Sequence, residues 1–135
     1  MKNRIISFFL ILVLVVSYNN QVNSSEFIFE SEYIEIKNNG NTIGAKNGVK
    51  IIANNKIEIT ADESVYDKLT LKLLIKGNVI LDDTERGIKI LSKEAIYDKN
   101  SEKILLKGKV TTYLANNYTL YGENLEYFKK DKIIQ

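Results

Sequence analysis

A twelve-residue segment recurs four times along the chain, at intervals of about thirty residues. The copies occupy residues 27–38, 57–68, 88–99 and 118–129, so they begin 30, 31 and 30 residues apart. A fixed period in this range is the signature of an array of similar supersecondary units. The repeat therefore constrains the fold more strongly than any single motif does.

Each copy has the alternating pattern of a half-buried β-strand, with apolar residues two positions apart and mostly polar residues between them. The first apolar column consists of Phe27, Ile57, Ile88 and Tyr118. The second consists of Phe29, Ile59, Ile90 and Leu120. A column of small residues follows, at which a strand can bend: Ser31, Ala61, Ser92 and Gly122. Each copy is therefore predicted to be a strand.

Two further strands are predicted between successive copies. The second strand of the repeat is marked by two columns, Ile43, Leu73, Ile104 and then Ala45, Ile75, Leu106. The third is marked by Val49, Val79, Val110 and then Ile51, Leu81, Thr112. A backbone kink is predicted between them at Asn47, Gly77 and Gly108, because Gly reaches left-handed backbone angles freely and Asn tolerates them.

A three-strand repeat of this length fits two all-β architectures. One is a parallel β-solenoid with one rung per repeat, and the other is an antiparallel β-roll closed as a jelly roll. The predicted strands end in short polar turns, at residues 38–41, 54–55, 82–87, 98–102, 116–117 and 129–132. Short turns favour antiparallel pairing, in which tight hairpins are sufficient, although the periodicity is compatible with both folds.

The first 24 residues have the layout of a secretory signal peptide. Lys2 and Arg4 precede an apolar run at residues 5–16, and Val22 and Ser24 suit the −3 and −1 positions of a cleavage site. The apolar run is short for a bilayer span of about 20 residues, but an uncleaved membrane anchor is the alternative. We predict a signal peptide at residues 1–24, a single domain at residues 25–135, and export to the periplasm.

Composition excludes several classes of function. Removal of residues 1–24 leaves 17 basic and 17 acidic residues, so no basic stripe argues for nucleic acid. The chain has no His and no Cys, which excludes a lipoprotein, a disulfide, a Ser-His-Asp or Cys-His nucleophile and a His-ligated metal. We predict no enzymatic activity, no cofactor and no metal.

Two features could still suggest a catalytic or sugar-binding site. The acidic pairs Asp62/Glu63 and Asp82/Asp83, with Glu85 nearby, are interpreted as solvated carboxylates at strand ends or in turns, and they lack the spacing of a calcium-binding EF-hand. A column of tyrosines is interpreted as wall packing with the hydroxyl at the rim, rather than as a sugar-stacking ladder: Tyr66, Tyr97 and Tyr127.

The sequence resembles the OstA-like lipopolysaccharide-transport family. The resemblance lies in the paired apolar columns of the predicted strands, in GNV at residues 77–79 and in IYD at residues 96–98. That family comprises the periplasmic LptA, the N-terminal domain of LptD and, more distantly, LptC. The resemblance covers residues 27–127. It implies an antiparallel β-jelly roll (β-taco) with an open apolar groove that carries the acyl chains of lipopolysaccharide as part of a bridge to the outer membrane.

The alternation predicts which residues would line such a groove: Ile57, Ile59, Leu73, Ile75, Val79, Leu81, Ile88, Ile90, Ile104, Leu106, Val110 and Leu120. The resemblance further implies partners, namely lipopolysaccharide and LptC- and LptD-like jelly-roll domains that pair with the edge strands, or other copies of the chain arranged head to tail. Two alternatives are open: a structural envelope β-repeat that binds no ligand, and a truncated N-terminal domain of an LptD-type protein.

Overall fold

The structure is a computed structural model that describes residues 27–53 and 56–128. The predicted signal peptide, the turn at residues 54–55 and the polar turn at residues 129–132 lie outside these ranges. No helix in the described ranges combines the length and the apolar character needed to cross a membrane.

All regular structure in the described chain is strand, apart from one short 3-10 turn at Asn38–Gly40. The strands are β1 (Phe27–Lys37), β2 (Thr42–Ala53), β3 (Ile57–Ala61), β4 (Glu63–Asp67), β5 (Lys72–Asp83), β6 (Ile88–Asp98), β7 (Lys103–Tyr113) and β8 (Thr119–Phe128). They form one antiparallel sheet in the order β1-β2-β3-β5-β6-β7-β8, and β4 pairs with the same two neighbours as β3. The antiparallel prediction is confirmed, and the parallel solenoid is excluded.

The prediction of three strands per repeat is wrong. Its second and third strands are one long strand, because hydrogen-bonded pairing resumes after the kink instead of ending there. In β5, for example, Leu73 pairs with Tyr97 before the kink and Leu81 pairs with Ile90 after it, on the same neighbouring strand. Each repeat is therefore a hairpin of two long strands, and β3 with β4 is one such strand interrupted at Asp62.

The sheet is folded along the line of these interruptions into two layers. The front layer contains residues 27–31, 49–53, 57–61, 79–83, 88–92, 110–113 and 119–122. The back layer contains residues 33–37, 42–46, 63–67, 72–76, 94–98, 103–107 and 124–128. Their inner faces pack together: the ring centroid of Phe27 in the front layer lies 5.0 Å from that of Tyr66 and 5.2 Å from that of Tyr97 in the back layer.

Two consecutive left-handed residues form the kink in each of β2, β5 and β7. The predicted kink residues Asn47, Gly77 and Gly108 have φ values of 63°, 79° and 83°. The residue that follows each of them is also left-handed, with φ of 85° at Gly48, 47° at Asn78 and 52° at Lys109. Sequence reasoning missed this second position, because Lys109 is not a residue that usually signals positive φ.

Backbone hydrogen bonds continue across the fold line. The Gly48 N–H donates to the Asp62 carbonyl at 3.1 Å, and the Asp62 N–H donates to the Gly77 carbonyl at 2.9 Å. The Asn78 side-chain amide also donates to the Asp62 carboxylate at 2.9 Å. The sheet therefore bends without leaving these backbone groups unpaired.

Gly77→Ala and Gly48→Ala distinguish two requirements at the fold line. Both positions require a left-handed backbone, and Gly77 also requires the absence of a side chain. A Cβ on Gly77 would lie 2.7 Å from Asp62 Cγ, whereas a Cβ on Gly48 would have no neighbour within 4 Å. Gly48→Ala should lower the free energy of unfolding by about 1–2 kcal/mol, because Ala is strained in a left-handed conformation. Gly77→Ala should cost about 1–3 kcal/mol more, because Asp62 must move and its hydrogen bonds are disturbed. Urea unfolding measures both losses, and equal losses would show that Asp62 does not constrain the kink.

Candidate functional site

The interior between the two layers contains most of the predicted groove residues. Ten of the twelve are buried: Ile57, Ile59, Leu73, Ile75, Val79, Leu81, Ile90, Ile104, Leu106 and Val110. They belong to one continuous cluster, together with the aromatic side chains of both layers. The centre of the interior is therefore filled by side chains.

The apolar inner surface is uncovered at both edges of the described sheet. Leu120 on β8 is opposite Thr112, which is fully buried, so Leu120 faces inward although it is 44% exposed. On β1, Ile36 is opposite Ile43 and likewise faces inward, with 66% exposure. Ile88, the other groove residue outside the buried set, is partly buried and packs against the core.

A cleft of about 310 Å³ opens at the β1 end of the interior. It is lined by Phe27, Phe29, Ile43, Tyr66, Lys68, Leu71 and Lys99. The Lys99 ammonium lies 5.8 Å from the centroid of the Phe27 ring, within the range of a cation–π interaction. An apolar floor with two ammonium groups suits an amphiphile that has an apolar chain and an anionic head.

The turn between β4 and β5 places two of these cleft residues. Asp67 Oδ1 accepts hydrogen bonds from the backbone N–H groups of Leu69 and Thr70, at 2.8 and 3.3 Å, and these bonds hold the pKa of Asp67 below its usual range. Leu71 is left-handed, with φ of 56°, and its carbonyl accepts the Lys99 N–H at 3.0 Å. A bulky residue in this conformation is strained by about 1–2 kcal/mol. Glu102 in the turn between β6 and β7 is left-handed in the same way, with φ of 51°, so this conformation is a feature of the repeated turn.

A buried polar cluster joins the layers near the end of β5. The Tyr127 hydroxyl of the back layer donates to Asp83 Oδ2 of the front layer at 2.6 Å. Arg86 Nη1 donates to the Tyr127 oxygen at 2.5 Å and lies 3.5 Å from Asp83 Oδ2. The Arg86 backbone N–H also donates to Asp83 Oδ1 at 3.1 Å. The cluster thus fixes the separation of the two layers at this point.

This cluster corrects two predictions. Asp83 is not solvated but 3% exposed, because Tyr127 and Arg86 satisfy its charge inside the protein. The Tyr127 hydroxyl is not at the rim, because it reaches the opposite layer. Tyr66, Tyr97 and Tyr127 are all buried, so they do not form an exposed ladder for stacking sugars.

The other acidic candidates lie at the surface. Asp62 and Glu63 are exposed, Asp82 pairs with Lys89 at 3.7 Å, and Glu85 pairs with Lys56 at 2.8 Å. Within the described residues, no group of three or more carboxylates is placed to hold a metal ion. These residues are ordinary surface ion pairs and turn residues.

The Tyr127 hydroxyl gives the protein a specific alkaline sensitivity. Burial, together with the hydrogen bond to Asp83, raises the pKa of Tyr127 to about 12, whereas a tyrosine in an unfolded chain titrates near pH 10. Above about pH 10 the unfolded chain loses a proton that the folded protein keeps, so this contribution to stability is intact below pH 10 and is lost as the pH rises towards 12. The loss should be on the order of 2 kcal/mol.

Tyr127→Phe tests this contribution. At neutral pH the substitution should lower the free energy of unfolding by about 1–3 kcal/mol, because Asp83 loses a buried hydrogen-bond donor. It should also remove part of the loss of stability at alkaline pH. Urea unfolding at about pH 8 and about pH 11 measures both effects. Tyr113→Phe, at an exposed position, is the control and should keep the wild-type pH dependence. The same alkaline loss in Tyr127→Phe as in the wild type would contradict the assignment.

No protein-family model matches the chain, and no curated protein matches it in sequence. A solved structure is similar in fold: LptH, the LptA-homologous periplasmic component of the conserved lipopolysaccharide transport device from Pseudomonas aeruginosa. The similarity has a TM-score of 0.72 at 12% sequence identity and covers 82% of this chain and 81% of that one. The chain therefore has the antiparallel β-jelly-roll fold that the resemblance to OstA-like lipopolysaccharide-transport proteins predicts.

Proposed function

We propose that this protein is a periplasmic carrier of lipopolysaccharide that receives the acyl chains of the lipid between its two layers. The observation that carries the proposal is the apolar interior that opens at a cleft beside Lys68 and Lys99. The fold similarity to LptH, the periplasmic transport component, supports it. The signal-peptide pattern in residues 1–24 is consistent with this location.

The energetics of acyl-chain burial suit such a carrier. Burying an acyl chain contributes about 0.8 kcal/mol per CH₂, so a chain of about a dozen carbons gains on the order of 10 kcal/mol. Part of this gain offsets the loss of contacts among the side chains that the acyl chain displaces. The two lysines at the cleft would pair with an anionic head group such as a phosphate. No catalytic group is needed for binding of this kind.

The lipid would enter where the two layers already part. Because the centre of the interior is filled, an acyl chain must separate the Phe27 ring from Tyr66 and Tyr97 before it can extend inward. Two buried hydroxyls, Ser64 Oγ and Thr112 Oγ1, have no hydrogen-bond partner among the described residues. An ester or hydroxyl group on a bound acyl chain would supply a partner to such a group.

The two edges of the sheet suit assembly by strand addition. In the described chain β1 pairs only with β2, and β8 pairs only with β7. A second jelly roll that adds to either edge would satisfy the free backbone groups and cover Ile36 or Leu120 as well. LptC- and LptD-like domains, or further copies of this chain arranged head to tail, are the partners we propose for these edges.

The filled centre of the interior favours one competing function. A jelly roll whose layers never part would be a structural repeat of the envelope without a ligand, and every buried column would then be ordinary core. The two functions differ in one respect only, which is whether lipid reaches the inner face.

Photo-crosslinking at Phe29 and Ile28 distinguishes the two functions. Both residues lie on β1, but Phe29 lines the cleft, whereas Ile28 is exposed on the opposite face. An aromatic photo-crosslinker at Phe29 should label lipopolysaccharide in the envelope, and the same group at Ile28 should not. Neither substitution adds a charge, so folding is little affected. Equal labelling at both positions, or none at either, would support the structural repeat.

Leu120→Glu and Tyr121→Glu test assembly through the β8 edge. The residues are adjacent and exposed, but Leu120 faces inward and Tyr121 faces outward. Edge-to-edge assembly would bury the charge of Leu120→Glu beside apolar side chains, so this variant should assemble at least about tenfold more weakly. Tyr121→Glu should assemble as the wild type does. Sedimentation over a range of concentrations measures the difference, and equal assembly of the two variants would argue against the β8 edge.

A further inference from the structure

An apolar row crosses the outer face of the back layer, where a sheet that faces water usually carries polar side chains. The row, which we call the outer stripe, consists of Val65, Leu74, Ile96 and Leu105. These residues are directly opposite one another on four adjacent strands, β4, β5, β6 and β7. Val65 is 43% exposed, and the other three are partly buried. Their inward neighbours already fill the core, so the outer stripe has no role in it.

A row of alternating charges flanks the outer stripe on each side. On the side of the strand-end turns the row is Asp67, Lys72, Asp98 and Lys103. On the side of the fold line it is Glu63, Lys76, Glu94 and Lys107. Both rows run acid, base, acid, base from β4 to β7, so the eight charges sum to zero. Cross-strand neighbours of opposite charge stabilise a sheet, but an apolar row framed by two such rows also has the composition of an interface.

Most of these charged groups are available to a partner. Across the described residues, the carboxylates of Glu63 and Glu94 and the ammonium groups of Lys76 and Lys107 make no ion pair within 4 Å. In the other row Lys103 pairs with Glu126 at 2.6 Å, and Asp67 and Asp98 accept backbone hydrogen bonds within their turns. The row beside the fold line is therefore the one in which all four charges are unpaired, whereas the turn-side row has one unpaired charge, on Lys72.

We propose that the outer face of the back layer binds a second copy of this chain as a two-fold symmetric dimer. The two-fold axis would run along the strand direction, between β5 and β6. In that orientation β4 faces β7 of the second copy, which places Glu63 opposite Lys107, and β5 faces β6, which places Lys76 opposite Glu94. The turn-side row matches in the same way, and the two outer stripes cover each other.

Charge alternation selects this orientation over the other face-to-face arrangement. If the axis ran along the outer stripe instead, each strand would face itself, with the row beside the fold line against the turn-side row. Glu63 would then face Asp67 and Lys76 would face Lys72, so every contact would repel. Packed sheets lie about 10 Å apart with their strands within about 30° of each other, which the proposed arrangement satisfies.

The same charge pattern argues against other partners. An anionic membrane or a nucleic acid attracts a surface of one sign, whereas the alternating rows present equal numbers of both. The pattern is complementary to itself, because reversing acid, base, acid, base gives base, acid, base, acid. This dimer uses a sheet face, so it is separate from the edge-to-edge assembly proposed above and does not depend on lipid binding.

Charge reversal at Glu63 and Lys107 tests the dimer and its orientation together. Within one chain the two residues are three strands apart, about 14 Å, which exceeds the Debye length of about 8 Å at physiological salt. Any coupling between them must therefore act between copies. Glu63→Lys alone would place two lysines opposite each other at both ends of the interface, and Lys107→Glu alone would place two acidic residues there.

Sedimentation velocity over a range of concentrations should show dimers of the wild-type protein. Each single variant should dimerise at least about tenfold more weakly. The double variant, and equally a one-to-one mixture of the two single variants, should recover dimerisation to within about threefold of the wild type, because each Lys again faces a Glu. Lys89→Glu, on the outer face of the front layer, is the control and should dimerise normally.

Three results would overturn the proposal. The first is a wild-type protein that stays monomeric at millimolar concentration. The second is unchanged dimerisation in both single variants, which would place the interface elsewhere, for example at the sheet edges. The third is weakened single variants that neither the mixture nor the double variant recovers. Circular dichroism of each variant establishes that the sheet is intact, so that a loss of dimer is not a loss of fold.

Discussion

The whole structure depends on strands that turn from one layer into the other without losing their hydrogen bonds. Pairs of left-handed residues such as Gly77 and Asn78 make this turn, and backbone bonds from Gly48 to Asp62 and from Asp62 to Gly77 bridge it. If a strand ended at the fold line, its terminal N–H and C=O groups would lose their cross-strand partners, at a cost of about 0.5–1.5 kcal/mol for each hydrogen bond. A continuous strand avoids this cost, and so the two layers are halves of one sheet.

The layers are then held together by the buried core between them, and two of the contacts across it differ in kind. At one end of the interior the Phe27 ring packs against two tyrosines, and near the end of β5 the Asp83 carboxylate, the Arg86 guanidinium and the Tyr127 hydroxyl form a closed polar cluster. The aromatic contacts are apolar and could be replaced by an acyl chain with little penalty. The polar cluster could not, because separating its members would leave a buried charge unpaired. This asymmetry favours the β1 end as the point of entry for the lipid proposed above.

Sequence periodicity was sufficient for the extended segments, the inward columns and the first residue of each kink, because each of these depends on residues close together in the chain. It did not show that two successive segments form one long strand. Periodicity was insufficient to predict contacts between residues that are far apart in the sequence. Asp83 and Tyr127 are 44 residues apart, and no local pattern distinguishes Asp83 from its partly exposed neighbour Asp82. The outer stripe was missed for a similar reason, since Leu74 and Ile96 become neighbours only through the register of β5 and β6. The degree of filling of the interior depends on the distance between the layers, which apolar columns alone do not specify.

Because every long strand crosses both layers, the protein is a row of similar hairpins, each folded across the two layers. Adding one hairpin lengthens the row by two strand spacings, about 10 Å, and leaves the cross-section between the layers unchanged. The number of repeats therefore determines the length alone, whereas the side chains between the layers determine the width. A chain of this design can evolve to span a longer distance by duplicating a segment of about thirty residues, without redesigning the space that its layers enclose.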